Sequence, residues 1–461
     1  MIKLGLASLL FLARAAAAQN CDVYCDKHDP AFARGDRTAS ASVWSRGIVL
    51  HISDADDMAW AGIEDGKEGD EVWLDRSWNA GQDWGSGSKL GHTSVPEGKS
   101  GWRTLMYTIN DPSHKLVGAV RACGKAGDRS EVACTQWHAA KLDGDSPAAA
   151  AANALMQLYD ARAGNWTGSW WVAANALTAM VDHFAKTGQT RYRYAIARTF
   201  DANKGKQGGG FTNEFIDDTG WWGLAWVRAY DTTRDAKYLD MARRDADYMF
   251  EYWDNTCTGG VWWSTEKKYK NAIPNELFLK LAAALHNRIP GDVRYLGRAK
   301  LEWEWFKASG MINPLGLVND GLNACKNNGG TTWTYNQGVI LGGLAELYRA
   351  TGDKKLLDAG DRIARAAVAR LTVNGVLTEP CGSKCKGDAL AFKGIFVRNL
   401  SEFARTAKTS AYDAFLRKQA ASLQARACDP DGRCGWDWDS PFNGVDLGSQ
   451  QSALDAFNAA R

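Results

Sequence analysis

Two aspartates, Asp217 and Asp218, stand side by side in "NEFIDDTGWWGLAWVRAYD" (213–231), just ahead of the Trp221–Trp222 pair. Adjacent carboxyls at a helix start support two readings. A single aspartate there caps the helix, accepting backbone N–H groups and meeting the positive end of the dipole, worth about 1 kcal/mol. A pair has a second use. Neighbouring side chains diverge by about 100° yet can hold their carboxyls roughly 5–6 Å apart. Glycosidases that retain anomeric configuration need nucleophile and acid/base about 5–5.5 Å apart, whereas inverting enzymes need about 6.5–9.5 Å. Repulsion and burial would raise one carboxyl, leaving one protonated and one ionised near neutrality. The residues alone leave both readings open.

Other catalytic signatures are absent: there is no H-E-x-x-H, no G-x-S-x-G and no phosphate-binding loop, since "GKQGGG" lacks a following Lys-Ser or Lys-Thr. A formal net charge of +2 points to neither nucleic acid nor an anionic membrane. The 21 tryptophans exceed both Phe and Tyr, and an indole face suits a sugar ring as well as a core. Lys3, an apolar run from Leu4 to Leu12 and "ARAAAAQN" predict a secretory leader, 1–18, cleaved after Ala18. That run is too short to span a bilayer, and "SALDAFNAAR" offers no tail for a lipid anchor, so the expectation is a secreted monomer with no membrane partner. Ten cysteines fit such a compartment. Cys123 with Cys134, Cys381 with Cys385 and Cys428 with Cys434 are local pairing options; a zinc site at "CGSKC" is the minor alternative. Asn165 and Asn399 head glycosylation sequons.

The elements that position these residues come in two textures. From about 40 to 122, runs such as "SVWSRGIVLHIS", "DMAWAGI", "DEVWLD" and "LVGAVRAC" alternate with turn chemistry. They predict a small antiparallel β-domain over 19–145, which packs on the helices or binds glycan. Within it "SWNAGQDW", with Asn79, resembles the Asp-box hairpin turn of sialidases. From Ser146 the chain turns alanine-rich and helical, with a recurrent helix–turn–helix join near 183, 229, 285, 347 and 403. Twelve helices are predicted: 148–160, 170–187, 190–202, 217–231, 235–252, 272–288, 292–309, 334–350, 353–370, 388–406, 410–426 and 449–460. Long connections precede the second member of each pair. Six hairpins with long loops at one end predict an all-α (α/α)6 toroid over 146–461, with a cleft at that end.

The chain from about 148 onward resembles glycoside hydrolase family 76, the endo-α-1,6-mannanases. "FIDDTGWWGLAWVRAYDTT", "GGVWW" (259–263), "KNAIPNELFLKLAAALH" (270–286), "WTYNQGVILGGLAELYRATGD" (333–353) and "FKGIFVRNL" (392–400) occur in family order and spacing. The resemblance implies an (α/α)6 fold and retaining endo-hydrolysis of α-1,6-mannan without metal or cofactor, with Asp217 as nucleophile and Asp218 as acid/base. It implies further substrate-binding residues at helix starts: Trp171, Asn175, Trp221, Trp222, Asn271, Asn275, Asp320, Tyr335, Asn336, Gln337 and Lys393. Amides could read vicinal hydroxyls and indoles could stack, although capping and core packing would use the same residues; Trp226, Trp253 and Trp262 are read as core. Two alternatives stand beside hydrolysis: transglycosylation on cell-wall glycan, and carbohydrate binding without catalysis.

Overall fold

The computed structural model describes residues 26–79, 81, 88–142, 146–206 and 208–460. The expected leader (1–18), Cys21, Cys25 and most of the Asn79 hairpin lie outside them. Two compact units emerge, one from the described residues of Met1–Arg76, Ser86–Lys115 and Arg121–Gln136, the other from those of Ser77–Gly85, Leu116–Val120 and Trp137–Arg461.

The first unit is built of β1 (Arg37–Val43), β2 (Arg46–Ser53), β3 (Met58–Glu64), β4 (Glu71–Ser77), β5 (Lys89–Ser94), β6 (Trp102–Arg103), β7 (Tyr107–Thr108), β8 (Ala119–Lys125) and β9 (Val132–Cys134). One sheet runs β1-β2-β3-β6 with β7 also on β3; the other runs β5-β4-β8-β9. The β1–β2 turn is only Trp44 and Ser45, both at positive φ, the twist that a two-residue hairpin requires. Ile48, Leu50 and Ile52 of β2 oppose Ile63, Ala61 and Ala59 of β3 and are buried with them. The period-2 pattern thus delivers one apolar face.

The second unit holds twelve α-helices among the described residues: α1 (Pro147–Met156), α2 (Trp170–Thr187), α3 (Tyr194–Asn203), α4 (Ile216–Thr233), α5 (Ala236–Glu251), α6 (Ala272–His286), α7 (Arg294–Ala308), α8 (Thr334–Thr351), α9 (Lys354–Arg370), α10 (Phe392–Thr406), α11 (Asp413–Ser422) and α12 (Leu447–Ala459). Local chemistry sets many of their ends. Ser146 caps α1 with Pro147 in its first turn, Asp235 and Asp353 cap α5 and α9, and left-handed Gly188 and Gly352 end α2 and α8. Some ends differ from expectation. α1 stops at Met156 because Asp160 turns the chain, accepting the N–H groups of Arg162 and Ala163. α10 starts at Phe392, after a short 3-10 turn over Gly387–Leu390.

The even-numbered helices pack in sequence, α2 on α4, then α6, α8, α10 and α12, and α12 returns to α2. Odd-numbered helices lie against them from outside; α9 keeps one buried stripe, whereas nearly all of α6 and α10 is buried. Glycine permits the closest inner approaches. A Cβ on Gly338 would strike the Phe396 backbone, and one on Gly394 the Ser452 backbone. At the seam Lys186 of α2 donates to the carbonyls of Phe457, Asn458 and Ala460 around the end of α12. Toward the C-terminal ends of the inner helices, Glu402 of α10 accepts from Arg228, Lys280 and Arg349 at 2.7, 2.9 and 3.1 Å. The three local disulfides form, and a fourth, Cys257–Cys325, ties the loop before α6 to the one before α8.

Candidate active site

Asp217 and Asp218 occupy the first turn of α4, but Phe215 holds the cap position, with no side-chain bond to the helix. The capping reading therefore does not account for the pair. Asp217 Oδ1 accepts the N–H of Asp218 at 3.0 Å, and its Oδ2 accepts the indole N–H of Trp263 at 3.1 Å. Asp218 Oδ2 accepts Asn213 Nδ2–H at 2.7 Å, while Asn213 Oδ1 accepts the N–H of Phe215 at 2.9 Å. Each carboxyl is thus oriented by a different neighbour. The loop bearing Trp263 is stitched to α4, since its carbonyl accepts the N–H of Ile216 at 2.8 Å.

Both carboxyls are held above the ordinary carboxylate range. For Asp217 the causes are burial first and the charge of Asp218 second, outweighing the Trp263 and backbone bonds. For Asp218 burial is again the main cause, opposed by the Asn213 bond and assisted by the charges of Asp388 and Glu214. Asp217 is raised the further of the two. Such a pair gives up its protons in two steps that belong to both groups, and between those steps it holds one proton.

A run of aromatic rings lies nearby. Tyr335 stacks on Phe392 with centroids 3.9 Å apart, Trp221 lies 6.5 Å from Tyr335, and Trp171 lies 5.6 Å from Trp221. Trp171 donates its indole N–H to Asp388 at 2.9 Å. Asp320 accepts the hydroxyl of Tyr269 at 2.7 Å, and that hydroxyl accepts from Asn328 at 2.9 Å; burial raises Asp320. Tyr335 is raised well above its ordinary value, by burial and then by Asp320, Asp217, Glu276 and Asp388. Those charges converge on it from α4, α6 and the loops before α8 and α10. Of the expected residues, Asp217, Asp218, Trp171, Trp221, Asp320 and Tyr335 are brought together.

Others are spent inside the protein. Trp222 is fully buried among Trp170, Phe211 and Trp226; as the second of two adjacent helical residues it points away from Trp221. Asn175 is buried, accepting from Arg398 at 2.5 Å and donating to the Trp171 carbonyl. Asn275 and Gln337 share one device. Asn275 accepts the N–H of Val261 and donates to the carbonyls of Val261 and Asn271. Gln337 accepts the N–H of Val318 and donates to the carbonyls of Val318 and Trp333. The paired donor and acceptor expected to read sugar hydroxyls read a peptide edge instead. Lys393 is buried and donates to the Trp436 carbonyl at 2.6 Å; Asn336 is wholly buried too, but neither of its amide atoms has a hydrogen-bond partner among the described residues. Asn271 caps α6 without a side-chain bond, and its backbone bridges to Gly321 beside Asp320. The sequon at Asn399 is buried in α10 and bonded to Lys280.

Trp263, Asn213, Tyr269, Asn328 and Asp388 were not anticipated as site residues. Asn213 and Trp263 sit inside stretches already singled out, and Trp263 ends "GGVWW". Nothing in sequence signals Asp388, whose partner Trp171 is 217 residues away.

Comparison with known proteins agrees with this geometry. The family model described as Glycosyl hydrolase family 76 matches residues 144–461. The mannan endo-1,6-alpha-mannosidase DFG5 of Saccharomyces cerevisiae is 29% identical over 323 residues, 62% of this chain and 69% of that protein. The structure of the GH76A α-1,6-mannanase from Salegentibacter sp. HEL1_6 superposes with a TM-score of 0.62 at 27% identity, covering 68% of this chain and 97% of that one. An inactive variant of that enzyme, with two consecutive aspartates changed to asparagine and α-1,6-mannotriose bound, gives a TM-score of 0.61 at 26% identity over the same shares.

Proposed function

Because the chain belongs to glycosyl hydrolase family 76, we propose that it is a secreted, monomeric, retaining endo-hydrolase of α-1,6-linked mannan, its helical ring an (α/α)6 toroid. The observation that carries the reading is the Asp217–Asp218 pair: two adjacent raised carboxyls, each fixed by its own donor, with aromatic side chains nearby whose faces suit sugar rings. Asp217 bonds to the anomeric carbon as the bond to the leaving sugar breaks, and the leaving oxygen takes the proton of Asp218. Water then gives a proton to Asp218 and its hydroxyl to the anomeric carbon, freeing Asp217. Trp171 and Tyr335 supply ring platforms, and Asp320 a carboxyl for a sugar hydroxyl.

The test is incubation with linear α-1,6-mannan, with early products followed by proton NMR. α-Anomers are expected. β-Anomers would overturn retention, absence of cleavage would overturn the enzyme reading in favour of binding alone, and lengthened chains would favour transglycosylation.

A further inference from the structure

Asp388 lies in the 3-10 turn that follows the Cys381–Cys385 loop, and its carboxylate is exposed. It accepts the Trp171 indole N–H at 2.9 Å across 217 residues of sequence. It also borders a cavity of about 230 Å³ at the N-termini of α2 and α12, with Thr167, Ser169 and Asp446 on the rim. Its turn leads directly into Phe392, on which Tyr335 stacks and from which Trp171 lies 6.1 Å. One carboxylate therefore bonds the half-buried Trp171 ring and faces space that a glycan could enter.

We propose that Asp388 is a positioning residue of the cleft, fixing the plane of the Trp171 indole and lending negative charge to the side that Asp218 occupies. The inference rests on the glycosidase reading above and goes beyond it by giving the cleft an electrostatic setting residue outside the acidic pair. Besides Asp217, the charges that act on Asp218 are those of Asp388 and Glu214; Asp320, buried Glu276, Asp217 and Asp388 act together on Tyr335. All are acids, so removing one of the exposed charges eases ionisation of Asp218 and lowers the pH at which it gives up its proton. An exposed hydrogen bond that did nothing more than hold the turn would leave that titration where it is.

Two substitutions separate the roles. Asp388→Asn keeps an oxygen to accept the indole N–H and removes the charge, whereas Asp388→Ala removes both. In D388N the basic limb of the kcat/KM profile moves down by about half a pH unit, an approximately threefold loss one unit above the limb, with KM little changed. D388A shows the same displacement with an added rise in KM, which Trp171→Phe reproduces without displacing the limb. The Asp218 carboxyl is also followed without substrate, by infrared difference spectra against D218N. That titration moves down in D388N whether or not α-1,6-mannan proves to be the substrate, so failure of the function reading and failure of this inference are distinguishable. A titration and limb unmoved in D388N would overturn the inference, as would a KM unchanged in D388A.

Discussion

At the scale of single residues, the division of labour between Asp217 and Asp218 is open to direct chemistry. Asn at either position removes one carboxyl and is expected to lower kcat on α-1,6-mannan by at least about a thousandfold, roughly 4 kcal/mol of barrier. It also relieves a raised, half-buried acid, so thermal unfolding should hold or rise. With an activated aryl α-mannoside and azide, an Asp217→Ala variant should yield β-mannosyl azide and an Asp218→Ala variant the α-anomer. The reverse would exchange their roles. Glu276 offers a test of the same physics outside the acidic pair. It is wholly buried on α6, neither oxygen has a hydrogen-bond partner among the described residues, and burial followed by the Asp320 charge raises it well above the ordinary value. A folded-state value above the unfolded one means that its contribution is complete below about pH 4 and is lost as pH rises. Glu276→Gln should therefore match wild type near pH 4 and unfold at progressively higher temperature than wild type toward pH 8.

At the scale of elements, the loops ahead of the inner helices owe their shape to side chains one turn inside those helices. Gln337 satisfies both backbone groups of Val318, two residues before Asp320. Gln337→Ala orphans those buried groups and should cost about 2–3 kcal/mol in denaturant unfolding, with KM rising as Asp320 loses its support. These clamps also mark where sequence reading stops. The helices were legible because their ends carry chemistry that acts locally: Ser146 with Pro147, Asp235 and Asp353 as caps, Gly188 and Gly352 as left-handed stops. The acidic pair was legible because adjacency is itself geometric. Asn275 and Gln337 were correctly seen as paired donors and acceptors at helix starts, but an amide recognises a peptide edge and a diol with the same two atoms. Only the path of the preceding loop decides between them. Asp388 and Trp263 act through partners on other elements, and no local pattern announces such a meeting.

At the scale of the whole helical unit, the ends of the ring differ in kind. The cleft end gathers raised carboxyls, while the other is bound by paired charge around Glu402, which Arg228, Lys280 and Arg349 hold well below the ordinary range against burial. A depressed value places that group's contribution above the unfolded carboxylate range, to be lost as pH falls. Glu402→Gln leaves three cations without their shared partner and should cost about 3–5 kcal/mol at neutral pH, measured by chemical unfolding, with the deficit shrinking in acid. The sign is opposite to that for Glu276, so the two ends should respond to acid in opposite directions.

The closure of α12 on α2 bears on how such a molecule is made. Hairpins added in order can cover one another as they leave the ribosome, but the flank of α2 that meets α12 has to wait for every helix between them. At translation rates of roughly 5–20 residues per second the wait lasts tens of seconds, long enough for a chaperone to find bare apolar surface. The seam, where Lys186 reaches the carbonyls of the returning helix, is therefore the last inner-ring contact that an emerging chain can form.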